Sequence, residues 1–179
     1  MHIWERGVMR FGWLLGVPAM LLASAGIDAA QAATTTIARA GLWDAFGGTS
    51  NNGTRVCGVS TSWTDNREFL LKYYRGDNTF TVQLVSPHWS VNSGDKYRVA
   101  MQIDANASWS GLAVGAHVGN SGMLQFEINR NQLSRFIEQF RHGDILYLSF
   151  PGTGARDWTA SLEGTNAVTT SFANCILAI

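Results

Sequence analysis

Short runs in which apolar and polar side chains alternate constrain this chain more than any other feature. In the run 79–84, the apolar residues Phe80, Val82 and Leu84 occupy every second position. Successive side chains of a β-strand point to opposite faces, so this period of two predicts a strand with one buried and one wetter face. The same period recurs in the segments 97–103, 124–128 and 158–162.

Weaker strand patterns and turn clusters fill most of the remaining chain. The turn-forming clusters are 76–78, 92–95 and 119–122, and the first of them joins two strand patterns as a hairpin would. Segment 33–38 is expected to be a short polar lead-in, and 47–54 a loose loop rich in glycine and asparagine. The weaker strand patterns are 41–46, 55–63, 68–74, 112–118 and 145–150. About nine short strands at this spacing predict a mainly β fold, an antiparallel β-sandwich or barrel.

Two segments show helical spacing instead. In 131–141 the apolar residues share one helix face, and we expect Asn131 to cap the start and Gly143 to lie at the end. Segment 166–176 is the second predicted helix, near the C-terminus, with Thr165 as its expected N-cap. Thr169 and Thr170 lower its helix propensity, so tertiary packing must stabilise it.

The first 32 residues have the pattern of a secretory signal peptide. Arg6 and Arg10 precede an uncharged, mostly apolar run of 17 residues, and Ala30-Gln31-Ala32 provides the small residues of a cleavage site. The alternative is a membrane anchor, but a spanning helix needs roughly 20 apolar residues. We therefore expect cleavage after Ala32, a single β-rich domain over 33–179, and a periplasmic or secreted protein.

Charge argues against two classes of partner. The formal net charge is zero, Lys72 and Lys96 are the two lysines of the chain, and no basic run occurs. A neutral protein lacks the electrostatic attraction that would draw it to nucleic acid or to anionic lipid. No second apolar stretch reaches membrane-spanning length, so we expect no membrane span after cleavage.

The two cysteines, Cys57 and Cys175, both follow the predicted cleavage site. In an exported domain, two cysteines most simply form one disulfide bridge. A reactive thiol or a metal ligand is the alternative, although neither residue lies in a CxxC motif or a Cys/His cluster.

No catalytic or metal-binding motif is present, and no cofactor is expected. His88, His117 and His142 do not share metal-ligand spacing, and no G-x-S-x-G sequence occurs. His117 alternates with the apolar residues of 112–118 and should face solvent. A Ser/His/Asp triad can still be assembled by the fold from distant residues, which keeps a hydrolase as an alternative.

Tryptophan is the other residue type with possible binding roles. Trp63 and Trp158 lie on alternating strand faces and are expected in the core. Trp89 and Trp109 lie near predicted loops and, with His88, are candidates for a surface binding patch.

Two segments of the chain resemble small exported β-rich proteins of proteobacteria. The segment 158–175 has a strand ending in S-L-x-G and then a helix ending in F-x-x-C, and segment 89–97 leads to Ile103-Asp104. Among such proteins the chain resembles the invasion-associated locus B family, over about residues 41–175. The resemblance implies a β-rich periplasmic or envelope protein with Cys57–Cys175 as its structural bridge, and it carries over no catalytic residues.

These observations predict a non-catalytic periplasmic protein that binds a protein or a cell-envelope component. One alternative is a periplasmic hydrolase whose site forms only in the fold. Another is an inhibitor of a lysozyme or protease, which would present a protruding rigid loop such as 86–95.

Overall fold

A computed structural model describes residues 33–179, so the predicted signal peptide lies outside the described residues. This part of the chain contains ten strands and two helices. They are β1 (Ala33–Ala40), β2 (Trp43–Thr49), β3 (Arg55–Ser62), β4 (Glu68–Tyr74), β5 (Thr79–Ser86), β6 (Lys96–Ile103), β7 (Trp109–Val118), β8 (Ser121–Asn129), α1 (Arg130–His142), β9 (Ile145–Ser149), β10 (Trp158–Ser161) and α2 (Thr165–Leu177). No helix within 33–179 is long and apolar enough to cross a membrane.

All ten strands belong to one antiparallel sheet, in the order β1-β2-β3-β4-β5-β8-β7-β6-β9-β10. The sheet is not closed into a barrel, because no strand pairing joins its edge strands, β1 and β10. Two tryptophan side chains instead join the β2–β3 side of the sheet to β10. Trp43 Nε1 donates to the carbonyl of Ser161 at 2.8 Å, and Trp63 Nε1 donates to the carbonyl of Thr159 at 2.9 Å. Side chains from the β2–β3 side therefore occupy carbonyls of the β10 edge, which would otherwise be open to pairing.

The core lies between the inner face of this sheet and the two helices. Phe80, Val82 and Leu84 are all buried, as their alternation predicts. Phe140 of α1 meets Trp43 of β2 edge to face, with ring centroids 4.8 Å apart. The mainly β, antiparallel fold with two short helices, the second at the C-terminus, is confirmed.

The disulfide between Cys57 of β3 and Cys175 of α2 is present, with a Cα–Cα distance of 5.9 Å. Gly47, opposite Cys57 on β2, leaves room for this bridge, since a Cβ there would lie 2.9 Å from Cys175 Sγ. The bridge joins the C-terminal helix to the sheet across 118 residues of sequence.

Three local predictions were wrong. Segment 33–38 is part of strand β1, which pairs with β2 along its whole length despite its polar composition. Helix α1 begins at Arg130 with Asn129 as its N-cap, two residues earlier than an Asn131 cap requires. Thr165 is the first residue of α2, preceded by Gly164 with φ 91°. Its buried hydroxyl lies 2.6 Å from the carbonyl of Phe140 and 2.7 Å from that of Leu162, so it ties the two helices together.

The apolar side chains of strand β7 lie on the outer face of the sheet, whereas their alternation predicts that they face the core. Ala113 and Gly115 face the core, while Leu112, Val114 and Val118 are exposed on the outer face. The inner side must be small here, because a Cβ on Gly115 would lie 2.4 Å from the carbonyl oxygen of Asn92. His117 is exposed as predicted, although it lies on the same side as Gly115, at the strand end.

Candidate functional site

Trp158, the first residue of β10, lies at the centre of an aromatic cluster at one end of the core. It is 2% exposed. The Trp89 ring stacks on it at 4.8 Å and 15°, while the Trp63 ring lies tilted at 5.3 Å. Phe150 contacts both Trp158 and Trp89, at 5.3 and 5.0 Å. We call this cluster, with Arg67, the aromatic notch.

Arg67 extends the notch with a positive charge. It ends the turn between β3 and β4, in which Asn66 has φ 63° and donates its N–H to the carbonyl of Trp63. The guanidinium carbon of Arg67 lies 5.2 Å from the ring centroid of Trp63 and 5.1 Å from that of Trp158. Arg67 Nε also donates to both carboxylate oxygens of Asp65, at 2.9 and 2.8 Å. Two ring faces and one carboxylate thus hold the guanidinium in place.

Asp65 is the acidic partner of this arrangement. Its hydrogen bond from Arg67 lowers the pKa of the Asp65 carboxyl below its ordinary value. Arg67 and Asp65 form an ion pair at the rim, with Nε 2.8 Å from a carboxylate oxygen.

Two hollows open on the two sides of the turn that carries His88 and Trp89. One, of about 310 Å³, is lined by Val91, Tyr97, Phe150 and the 153–155 loop. The other, of about 440 Å³, adds charged groups of both signs, Asp65, Arg67, Arg156 and Asp157. His88, Trp89 and Ala155 line both hollows and separate them.

A turn after β5 positions the two predicted binding residues. The backbone N–H of His88 donates to Ser86 Oγ at 3.2 Å, and the N–H of Trp89 donates to the Ser86 carbonyl at 3.4 Å. This turn leaves the His88 side chain exposed and directs the Trp89 ring onto Trp158. The structure therefore brings His88 and Trp89 together at one surface site.

Trp109 does not join them. It is 8% exposed and packs edge to face on Phe136 of α1, at 5.6 Å. Arg135 covers its ring, with the guanidinium carbon 5.0 Å from the centroid. Its burial removes it from a surface patch, because the loop before β7 folds it inward under α1. Trp63, expected in the core, is instead half-buried at the rim of the notch, whereas Trp158 is buried as predicted.

The larger hollow contains the residue types of a hydrolytic triad but not the hydrogen bonds of one. Ser86, His88, Asp65 and Asp157 all line it. Ser86 is buried, its Oγ accepts from the His88 backbone, and no hydrogen bond joins the His88 ring to these residues. In a separate exposed pair, Ser93 Oγ of the 92–95 turn lies 3.2 Å from His117 Nδ1 of β7, and no carboxylate is hydrogen-bonded to either side chain. Residues 33–179 contain no group of three or more His, Cys, Asp or Glu side chains arranged to hold a metal ion.

Four charged residues of the notch and of the larger hollow beside it were not predicted from the sequence: Asp65, Arg67, Arg156 and Asp157. Each lies within four positions of a notch tryptophan, in the segments Trp63-Thr-Asp-Asn-Arg67 and Arg156-Asp-Trp158. That proximity was a usable signal, since Arg and Trp on neighbouring turns often stack.

Comparison with known proteins yields similarity at the level of the fold. No protein-family model matches the chain, and no curated protein matches it significantly. Among solved structures, the fold is similar to that of the crystal structure of invasion associated protein B from Bartonella henselae. The TM-score is 0.51 at 14% sequence identity, with 76% of this chain and 95% of that chain covered. The resemblance identified in the sequence is thus confirmed as a distant one.

Proposed function

We propose that this chain is an exported, non-catalytic binding protein that holds a protein partner of the cell envelope in the aromatic notch. The observation that carries the proposal is the pair of hollows on either side of His88 and Trp89, with an aromatic floor and a charged rim. Tryptophan and arginine are the residues most enriched among energetically dominant interface positions.

The rim favours a protein over a uniformly charged ligand. Arg67 and Arg156 carry positive charge beside Asp65 and Asp157, so the hollow offers partners for both signs. A polypeptide segment presents both signs and apolar side chains together, whereas a polyanion would meet repulsion from the two carboxylates. The site therefore matches the chemistry of a protein segment.

Export is supported by two observations. The N-terminal sequence has the order of charge, apolar run and small residues of a signal peptide. The Cys57–Cys175 disulfide is the kind of bond that persists in oxidising compartments.

Affinity capture with matched variants tests the binding site. The chain is immobilised and incubated with a periplasmic and envelope extract of its source, and retained proteins are identified by mass spectrometry. We expect His88→Ala combined with Arg156→Glu to lose the specific partner, because both exposed side chains border the larger hollow. Arg75→Glu, an exposed charge reversal in the β4–β5 turn, is the control and should retain it. Equal retention by both variants would exclude the notch.

A periplasmic hydrolase is the second candidate, because Ser86, His88 and two carboxylates line one hollow. Ser86→Ala separates the two functions, since it removes the only hydroxyl in that hollow that could act as nucleophile. Turnover in a panel of ester, peptide and glycan substrates that disappears in Ser86→Ala would establish the hydrolase. Unchanged partner capture by Ser86→Ala, with no turnover by the parent chain, is the result we expect.

The inhibitor alternative finds less support in the 86–95 loop. Its first half does not protrude, since Trp89 stacks on Trp158 and Val91 is buried. Residues 92–95 are exposed, but their backbone is hydrogen-bonded to Gly115 of β7, so this turn lies against the sheet and does not protrude.

A further inference from the structure

The outer face of β7 carries a row of exposed apolar side chains. Leu112, Val114 and Val118 are 57%, 44% and 52% exposed, and Ala116 lies between the last two. β7 is an interior strand of the sheet, paired on both sides with β6 and β8. The row is therefore not a strand edge awaiting a neighbour, but a sheet face with no layer packed on it. We call it the β7 stripe.

Charges of opposite sign flank the β7 stripe. On the β6 side, Lys96 is paired with Val114 and Arg98 with Leu112, so both basic residues share its face. On the β8 side, Gln125 is paired with Val114. The β7–β8 pairing ends at this position, and extending its register by two residues brings Glu127 opposite Leu112, across a hollow that both residues line. Arg98, Leu112 and Glu127 thus form one row across three strands.

Arg98 and Glu127 are both exposed, and neither forms an ion pair within residues 33–179. A face that is apolar in the middle, positive on one flank and negative on the other is complementary to itself. A twofold axis that runs parallel to β7, between two copies, exchanges the flanks. It places the β6 side of one copy over the β8 side of the other, at the same height along the strand.

We propose that two copies of this chain pack face to face through the β7 stripe about such an axis, with Arg98 of each copy facing Glu127 of the other. Face-to-face sheets pack about 10 Å apart, a distance that apolar side chains from both copies fill together. A twofold axis perpendicular to the strands would instead set β6 over β6 and oppose like charges. The charges therefore select the parallel axis, while the apolar row supplies the contact area.

This dimer leaves the aromatic notch open. None of the stripe residues or its flanking charges lines either hollow around His88 and Trp89. The inference therefore does not depend on the proposed binding function, and each copy retains its own notch.

Charge reversal distinguishes self-association of this geometry from any other use of the surface. The chain is expressed in full and purified, and its oligomeric state is measured by sedimentation equilibrium across a wide concentration range. We expect a monomer–dimer equilibrium. Arg98→Glu and Glu127→Arg should each weaken dimerisation by about tenfold to a hundredfold, because each substitution creates two like-charge contacts per dimer.

An equimolar mixture of Arg98→Glu and Glu127→Arg should dimerise again, since both contacts then join opposite charges. Leu112→Asp should also prevent dimerisation, whereas Leu42→Asp, at a 70% exposed leucine between β1 and β2, is the matched control and should not. Circular dichroism confirms that each variant is folded. A chain that is monomeric at every concentration, as expected if another protein or a lipid covers the stripe, overturns the proposal. So does a mixture of the two charge variants that fails to recover the dimer.

Discussion

The two ends of strand β10 border similar aromatic clusters that are covered in different ways. Near its last residue, Ser161, Trp43 is fully buried, with Phe140 of α1 against its ring. At the other end, Trp158 is just as buried, but a turn and the Arg67 side chain cover it instead of a helix. We call these the closed end and the open end.

The difference shows what makes a tryptophan available for binding. Both clusters supply an indole N–H to the β10 edge, Trp43 at the closed end and Trp63 at the open end. Helix α1 covers the cluster at the closed end, whereas the short turn with His88 and Trp89 at the open end leaves a hollow on each of its sides. The same residue type is therefore structural at one end and borders a site at the other.

The largest expected effect comes from emptying the closed end. Trp43→Ala should lower the free energy of unfolding by about 3–5 kcal/mol, because it leaves a cavity beneath Phe69 and Phe140. Urea unfolding followed by circular dichroism measures the change. The exposed His88→Ala at the open end should stay within about 0.5 kcal/mol of the parent chain. Similar losses for both would contradict the distinction between the ends.

Removing the disulfide should weaken the packing of α2 against β3. Cys57→Ser combined with Cys175→Ser should lower the free energy of unfolding by about 2–4 kcal/mol, since the bridge restricts the unfolded chain and anchors α2 to β3. The same loss should appear when the parent chain is unfolded in the presence of a reductant. Thiol titration of the denatured, unreduced parent should find no free thiol; two free thiols would refute the bridge.

A smaller effect is expected from removing the hydrogen bond that the Trp63 indole donates at the open end. Trp63→Phe keeps a ring beside Trp158 and Arg67 but removes the donor to the Thr159 carbonyl. We expect a loss of about 0.5–1.5 kcal/mol in the free energy of unfolding, the usual contribution of one hydrogen bond. Hydrogen exchange should rise in β10 more than in β5. An unchanged rate in β10 would show that the bond does not hold the edge strand.

Local sequence patterns were sufficient to predict most of the secondary structure. Strand 79–84 and helix 131–141 were predicted because each buries one face of a regular element, which leaves its period in the sequence. Strand β1 left no such trace. Its side chains, Ala-Thr-Thr-Thr-Ile-Ala-Arg-Ala, are mostly exposed at the sheet edge, so its pairing with β2 depends on backbone hydrogen bonds that composition does not record.

The candidate site was predictable only in part. His88 and Trp89 were identified because they lie in a turn-like segment next to a strand. The sequence showed no reason to place Arg67 and Trp63 beside Trp158, which is more than 90 residues away along the chain. Their contact requires the β10 edge to meet the β2–β3 side of the sheet, and the chain path alone does not specify that approach.

Alternation, helical spacing and the pair of cysteines determined by themselves that this chain forms an antiparallel β-rich fold with two helices and a single bridge. Alternation and helical spacing are visible among residues close together in the sequence, and two cysteines can form only one bridge within the chain. The tertiary structure alone decided which side of β7 is covered. On β7, the apolar row faces outward because Gly115 admits the backbone of Asn92 on the inner side. Trp109 is buried and Trp63 reaches the rim, because burial depends on which distant element packs on a residue and not on its hydropathy.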